Sequence, residues 1–118
     1  MTGPDPDERY GRGLARNLAA VGAGPPVLVI ADQHTVGQLA PTWLESFDEA
    51  GWLYRVRSCG GVTAAAEIAA LAAEARSLGA KTIAAIGDSD LLMAAKAAAK
   101  TIESPGPVSI VTFSRNEP

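Results

Sequence analysis

Apolar positions along this chain fall into two alternating patterns. Leu14, Leu18 and Val21 recur at helical spacing, and Gly22-Ala-Gly-Pro-Pro26 stops that helix with residues that cannot extend it. Val27-Leu-Val-Ile-Ala31 follows as an unbroken run rich in branched side chains, which predicts a strand covered on both faces. Thr35 to Ala40 predicts a short helical piece broken before Pro41. Thr42-Trp-Leu-Glu45 then has the spacing of a capping box for a separate helix through Ala50, closed by Gly51. Leu53-Tyr-Arg-Val-Arg-Ser58 alternates apolar and polar residues, so it is expected nearer a sheet edge, with Cys59-Gly-Gly61 as its terminal loop.

From Thr63 to Leu78, the residues Ile68, Leu71, Ala72, Ala75 and Leu78 form one helical stripe, and Gly79 is placed to end it. Thr82-Ile-Ala-Ala-Ile86 is a second apolar run, stopped by Gly87. Asp88, Ser89 and Asp90 then open an alanine-rich helix expected to carry Leu92, Ala95, Ala99 and Ile102 inward. After Ser104-Pro-Gly-Pro107 comes a last strand, Val108 to Thr112. Strands thus recur every 25 to 30 residues or so with one helix between each pair, the length of a βαβ unit. Right-handed crossovers make this an α/β fold: a Rossmann-like, three-layer parallel sheet in one domain over residues 9–118, preceded by a flexible, acidic tail over residues 1–8.

A chain of 118 residues, 47% hydrophobic and 19% charged, has the composition of one compact domain. Its formal charge of −3 and the lack of a basic run argue against nucleic acid or an anionic membrane as partner. Arg9, Arg12 and Arg16 gather near the start and are read as a solvated helix face. Cys59 is the only cysteine, so an internal disulfide is excluded. The start of the chain is unlike a signal peptide, and no apolar run approaches the roughly 20 residues that span a bilayer. Together these features predict a cytoplasmic location.

A parallel sheet holds its ligand at the carboxyl ends of its strands. That edge should gather Asp32, His34, Cys59, Gly60, Gly61, Gly87, Asp88, Ser89, Asp90 and Arg115. Two readings stand beside each other. Asp-Ser-Asp before a helix is an ordinary capping arrangement; the same carboxylates can also bind a cationic or hydroxylated ligand, or take a proton. His34, the only histidine, is either a surface loop residue or an acid–base group near neutral pH. Cys59 is a small buried side chain, or a nucleophile if its thiol pKa is lowered. Trp43 and Trp52 flank the helix after the first strand and are read as packing residues, one of them a candidate for a protein contact.

The order of these features resembles the N-terminal domain of the iron-containing alcohol dehydrogenase, glycerol dehydrogenase and dehydroquinate synthase superfamily. The resemblance is carried by Tyr10-Gly-Arg-Gly-Leu14, Val27 to Asp32, Cys59-Gly-Gly-Val-Thr63 leading to Glu67-Ile68, Leu78 to Gly87, Lys96-Ala-Ala-Ala99 and Pro107 to Thr112. It implies a domain that binds a nicotinamide dinucleotide, with Asp32 near the adenosine ribose, and a following helical domain that holds a divalent metal. The chain stops at Pro118, where that second domain would begin, so no metal site is expected from it. Where relatives carry three glycines followed by Ser or Lys, this chain has Gly87-Asp88-Ser89-Asp90, and Met93 and Ala94 replace an Asp and a Thr. Lys96 matches a family lysine and is read here as a helix-surface residue.

Glycines let a diphosphate approach the helix N-terminus. Asp88 and Asp90 put negative charge in that space. Two unit charges about 4 Å apart repel by roughly 4 kcal/mol at an effective dielectric of about 20. No cofactor is therefore expected, and NAD(P) is disfavoured by Asp88 and Asp90. The leading expectation is a stand-alone small-molecule-binding domain in a biosynthetic pathway. Any catalysis would be metal-free acid–base chemistry, such as a cyclisation, isomerisation or elimination, with His34, Asp32 and Asp88 as proton carriers. Cys59, Gly60, Gly61, Gly87, Ser89, Asp90 and Arg115 would line the ligand. The alternatives are a non-catalytic partner or half of a split dehydrogenase, and an NAD(P)-binding domain. Apolar surface left without the helical domain predicts a homodimer or a helical partner protein.

Overall fold

A computed structural model describes residues 13–58, 65–102 and 108–114. In chain order the elements are α1 (Leu14–Ala20), β1 (Val27–Ala31), α2 (Gln33–Ala50), β2 (Tyr54–Ser58), α3 (Ala65–Leu78), β3 (Thr82–Gly87), α4 (Ser89–Thr101) and β4 (Ser109–Ser114). The four strands form one parallel sheet in the order β2-β1-β3-β4. This is the expected Rossmann-like α/β architecture.

The two central strands explain why the runs are apolar throughout. Every residue of β1 and of β3 is buried, since each strand is covered on both faces. On one face, Leu28, Ile30, Ile83 and Ala85 meet Leu71, Ala72 and Ala75 of α3 and Leu91, Ala94, Ala95 and Ala98 of α4. On the other, Val27, Val29, Ala31, Ala84 and Ile86 meet Leu14 and Leu18 of α1 and Trp43 and Phe47 of α2. Trp43 is fully buried, a packing residue, and Trp52 is half-buried against the same cluster. Alanine dominates α3 and α4, so these helices lie close to the sheet. The alternating strand, β2, is at an edge as expected, and its Arg55 and Arg57 pair with Glu74 and Glu67 of α3.

Helix α2 corrects one expectation. It runs unbroken from Gln33 to Ala50 with Pro41 inside it, and no new helix starts at Thr42. Val36, Leu39, Ala40, Trp43 and Phe47 all pack on the same cluster, so the apolar stripe continues through the proline. Pro41 and Gly37, whose carbonyl loses its partner, are both exposed, and water can satisfy that group. Burial of Trp43 and Phe47 outweighs the local cost. Gly51 and Gly79 close α2 and α3 in the left-handed conformation, with φ of 70° and 71°.

Two smaller differences follow the same logic. Leu91, not Leu92, is the leucine of α4 that is fully covered, because it lies over the end of β3. Val21 is 66% exposed, since α1 ends at Ala20 and the chain turns away. No described helix is long and apolar enough to cross a membrane.

Candidate ligand crevice at the carboxyl edge

The strand order decides where a crevice opens. From β1 the chain passes through α2 to β2 on one side; β3 then lies against the other side of β1. Helix α2, which follows β1, covers one face of the sheet, and α4, which follows β3, covers the opposite face. Beyond the ends of β1 and β3 the two helices therefore diverge, which is the arrangement that accommodates ligands in open α/β sheets. Ala31 is in register with Ile86, so Asp32 and Gly87 leave the sheet side by side.

Both helices begin on an aspartate. Asp32 is the N-cap of α2: one carboxylate oxygen accepts the Thr35 N–H at 3.3 Å and the other accepts the Thr35 hydroxyl. Thr35 is buried, so this pair fixes the first turn of α2 against the sheet. Asp88 is the N-cap of α4, its Oδ1 accepting the Leu91 N–H at 3.0 Å. Asp90 lies in the first turn of the same helix, where a negative charge complements the helix dipole. Asp32 is half-buried, whereas Asp88 and Asp90 are exposed.

Gly87 is the buried last residue of β3. A Cβ built there would meet Leu91 Cδ1 at 3.0 Å and Leu91 Cβ at 3.3 Å. Its missing side chain makes room for the helix that follows. His34 is exposed on the first turn of α2, two residues beyond Asp32. Ser89 is the first residue of α4. Cys59, Gly60, Gly61 and Arg115 lie outside the described residues.

A charged residue near this edge was not singled out by sequence reasoning. Arg57, in register with Ile30, is one position short of the end of β2. Its guanidinium nitrogens lie 3.9 Å from Glu67 and from Glu74, and its buried Nε has no hydrogen-bond partner among the described residues. The alternation Tyr-Arg-Val-Arg was the available signal, and it reads equally well as a solvated strand face. Among the described residues, no group of three or more His, Cys, Asp or Glu side chains is placed to hold a metal ion.

Comparison with solved structures gives the same fold. An NADH-dependent butanol dehydrogenase A from Thermotoga maritima superposes with a TM-score of 0.68 at 12% identity, covering 90% of this chain and 30% of that one. For maleylacetate reductase from Agrobacterium tumefaciens the values are 0.66, 15%, 89% and 28%. For maleylacetate reductase from a Rhizobium species they are 0.60, 19%, 85% and 27%. These are iron-containing alcohol dehydrogenase-family enzymes, so the resemblance drawn from the sequence holds at the level of fold. The chain spans less than a third of the length of each. No protein-family model and no curated protein matches it.

Proposed function

We propose that this dehydrogenase-like domain holds a small, hydroxylated or cationic molecule in the crevice between the N-termini of α2 and α4, and that the diphosphate of a nicotinamide dinucleotide is a poor fit there. One observation carries the reading. At both helix N-termini one amide of the first turn, that of the third residue, is already taken by the chain's own carboxylate, Thr35 N–H by Asp32 and Leu91 N–H by Asp88. A diphosphate needs those donors unclaimed and an uncharged approach. At α4 it would meet Asp88 and Asp90 instead, and the space freed by Gly87 is filled by Leu91.

Hydroxyl groups and cations suit the same carboxylates, which accept hydrogen bonds from both. In this reading Asp32 and Asp88 orient the ligand while keeping their caps. His34, free of a helix cap and exposed at the same edge, exchanges the proton in any acid–base step. Calorimetric titration with NAD and NADP tests the charge argument. Wild-type chain is expected to show no saturable binding. Asp88→Asn keeps a capping side chain and removes the charge, so it should bind at least about tenfold more tightly, or 1.4 kcal/mol. Micromolar binding by the wild type, unchanged by Asp88→Asn, would overturn the proposal.

A second reading makes the chain one half of a dehydrogenase completed by a helical partner protein. It is favoured by the share of the enzymes matched, under a third of each. Its test is whether nicotinamide-dependent activity appears only when such a partner is added.

A further inference from the structure

Among the described residues the sheet has two margins, β2 and β4, and they are built differently. β2 carries Arg55 and Arg57, so two such edges laid together would oppose like charges. β4 reads Ser-Ile-Val-Thr-Phe-Ser from Ser109 to Ser114. It has no charge and no proline, and its register with β3 runs without a bulge from Thr82↔Ser109 to Gly87↔Ser114. Among the described residues, the devices that ordinarily keep an edge strand single are missing from β4.

Parallel pairing uses alternate residues of an edge strand. The Ser109 N–H donates to the Lys81 carbonyl at 3.0 Å, so Ser109, Val111 and Phe113 turn their backbone groups toward β3. Ile110 and Thr112 turn theirs outward. Alongside this margin runs an open groove of about 460 Å³, lined by Val21, Ala23 and residues 109–112. Val21, 66% exposed, is its outer apolar wall.

We propose that β4 pairs antiparallel with β4 of a second copy about a two-fold axis at Val111, joining two four-stranded sheets into one. The strand is complementary to itself in that register. Ile110 exchanges both backbone hydrogen bonds with the symmetry mate of Thr112, and Val108 does so with the mate of Ser114. Every described residue from Val108 to Ser114 is then paired, and no charge faces another. Val111 faces its own mate in a non-hydrogen-bonded pair, where Cα atoms approach to about 4.5 Å and side chains touch. That contact closes over the groove beside Val21. The inference is independent of what the crevice at the carboxyl edge binds.

Analytical ultracentrifugation and amide hydrogen exchange over a range of concentrations test it. A reversible dimer is expected. The amides of Ile110 and Thr112 should gain protection as the dimer forms, while those of Val111 and Phe113 stay protected throughout. Thr112→Pro removes an outward N–H and leaves the bonds to β3 intact. It should raise the dimer Kd at least about tenfold with unchanged circular dichroism. Val111→Lys, which sets a charge against its own mate, should do the same. A monomer at every concentration, or a dimer untouched by Thr112→Pro, would overturn the proposal. So would protection of Ile110 and Thr112 in the dilute monomer, which would mean that another part of the chain covers this edge.

Discussion

Gly87 and Leu91 are in contact: the position a Cβ would take on the glycine lies 3.0 Å from one methyl of the leucine and 3.3 Å from its Cβ. Leu91 is 2% exposed within the cluster between the sheet and helices α3 and α4, so it has nowhere to retreat. Gly87→Ala should therefore overpack the junction of β3 and α4. Overpacking costs about 1 to 3 kcal/mol, and the stiffer unfolded chain offsets about 0.4 to 1 kcal/mol of it. The expected net loss is about 1 kcal/mol, read from urea unfolding. Glycine here also serves packing, so retention of folding by Gly87→Ala with no loss would mean that α4 sits further from the strand than described.

The two caps should be unequal. Asp88→Ala removes one acceptor from the N-terminus of α4 and is expected to cost about 1 kcal/mol. Asp88→Asn or Asp88→Ser should cost little, because both side chains cap well. Asp32→Ala removes the partner of a backbone amide and also of the buried Thr35 hydroxyl. It should cost more, up to about 3 kcal/mol. Chemical denaturation of the four variants gives the order; equal losses at both positions would count against a structural role for the Thr35 hydroxyl.

Stability should also fall in alkali through Tyr54. Burial of its hydroxyl, and then the nearby charge of Asp48, raise its pKa above the ordinary 10.0. The ring stacks on Phe47 with centroids 4.6 Å apart, which keeps it in place. A raised folded-state pKa means that the folded chain holds its proton where the unfolded chain has lost it. The contribution is fully present below the unfolded value of about 10 and is lost as pH rises through the folded one. Thermal unfolding of wild type and Tyr54→Phe should therefore diverge only above pH 10 or so, with the wild type losing stability more steeply. Parallel curves would remove Tyr54 as the cause.

Much of the architecture was legible because it rests on local patterns. The unbroken apolar runs of β1 and β3 marked two-sided burial, the alternation in β2 marked an edge, and Gly51 and Gly79 marked helix ends. Pro41 misled, because a rule about one residue was set against the stripe from Val36 to Phe47, which extends over three turns. The stripe was equally visible in the sequence. Leu92 packs half-buried on the core as expected, and Leu91 was missed for a different reason: adjacent helical positions are separated by about 100°, and the contact with Gly87 at the end of β3 is what covers Leu91 as well.

What the sequence determined by itself is the set of elements and the edge of the sheet to which the polar residues belong, since hydrophobic period and chain order act locally and are written residue by residue. Tertiary structure alone decided that Asp32 and Asp88 stand at neighbouring strand ends, with the helices that follow them covering opposite faces. It also decided that the arginine-bearing β2 and the uncharged β4 are the two margins of the sheet among the described residues. Both depend on strand order, and strand order is set by how helices of a given shape fill the two faces together, a property that no single segment carries.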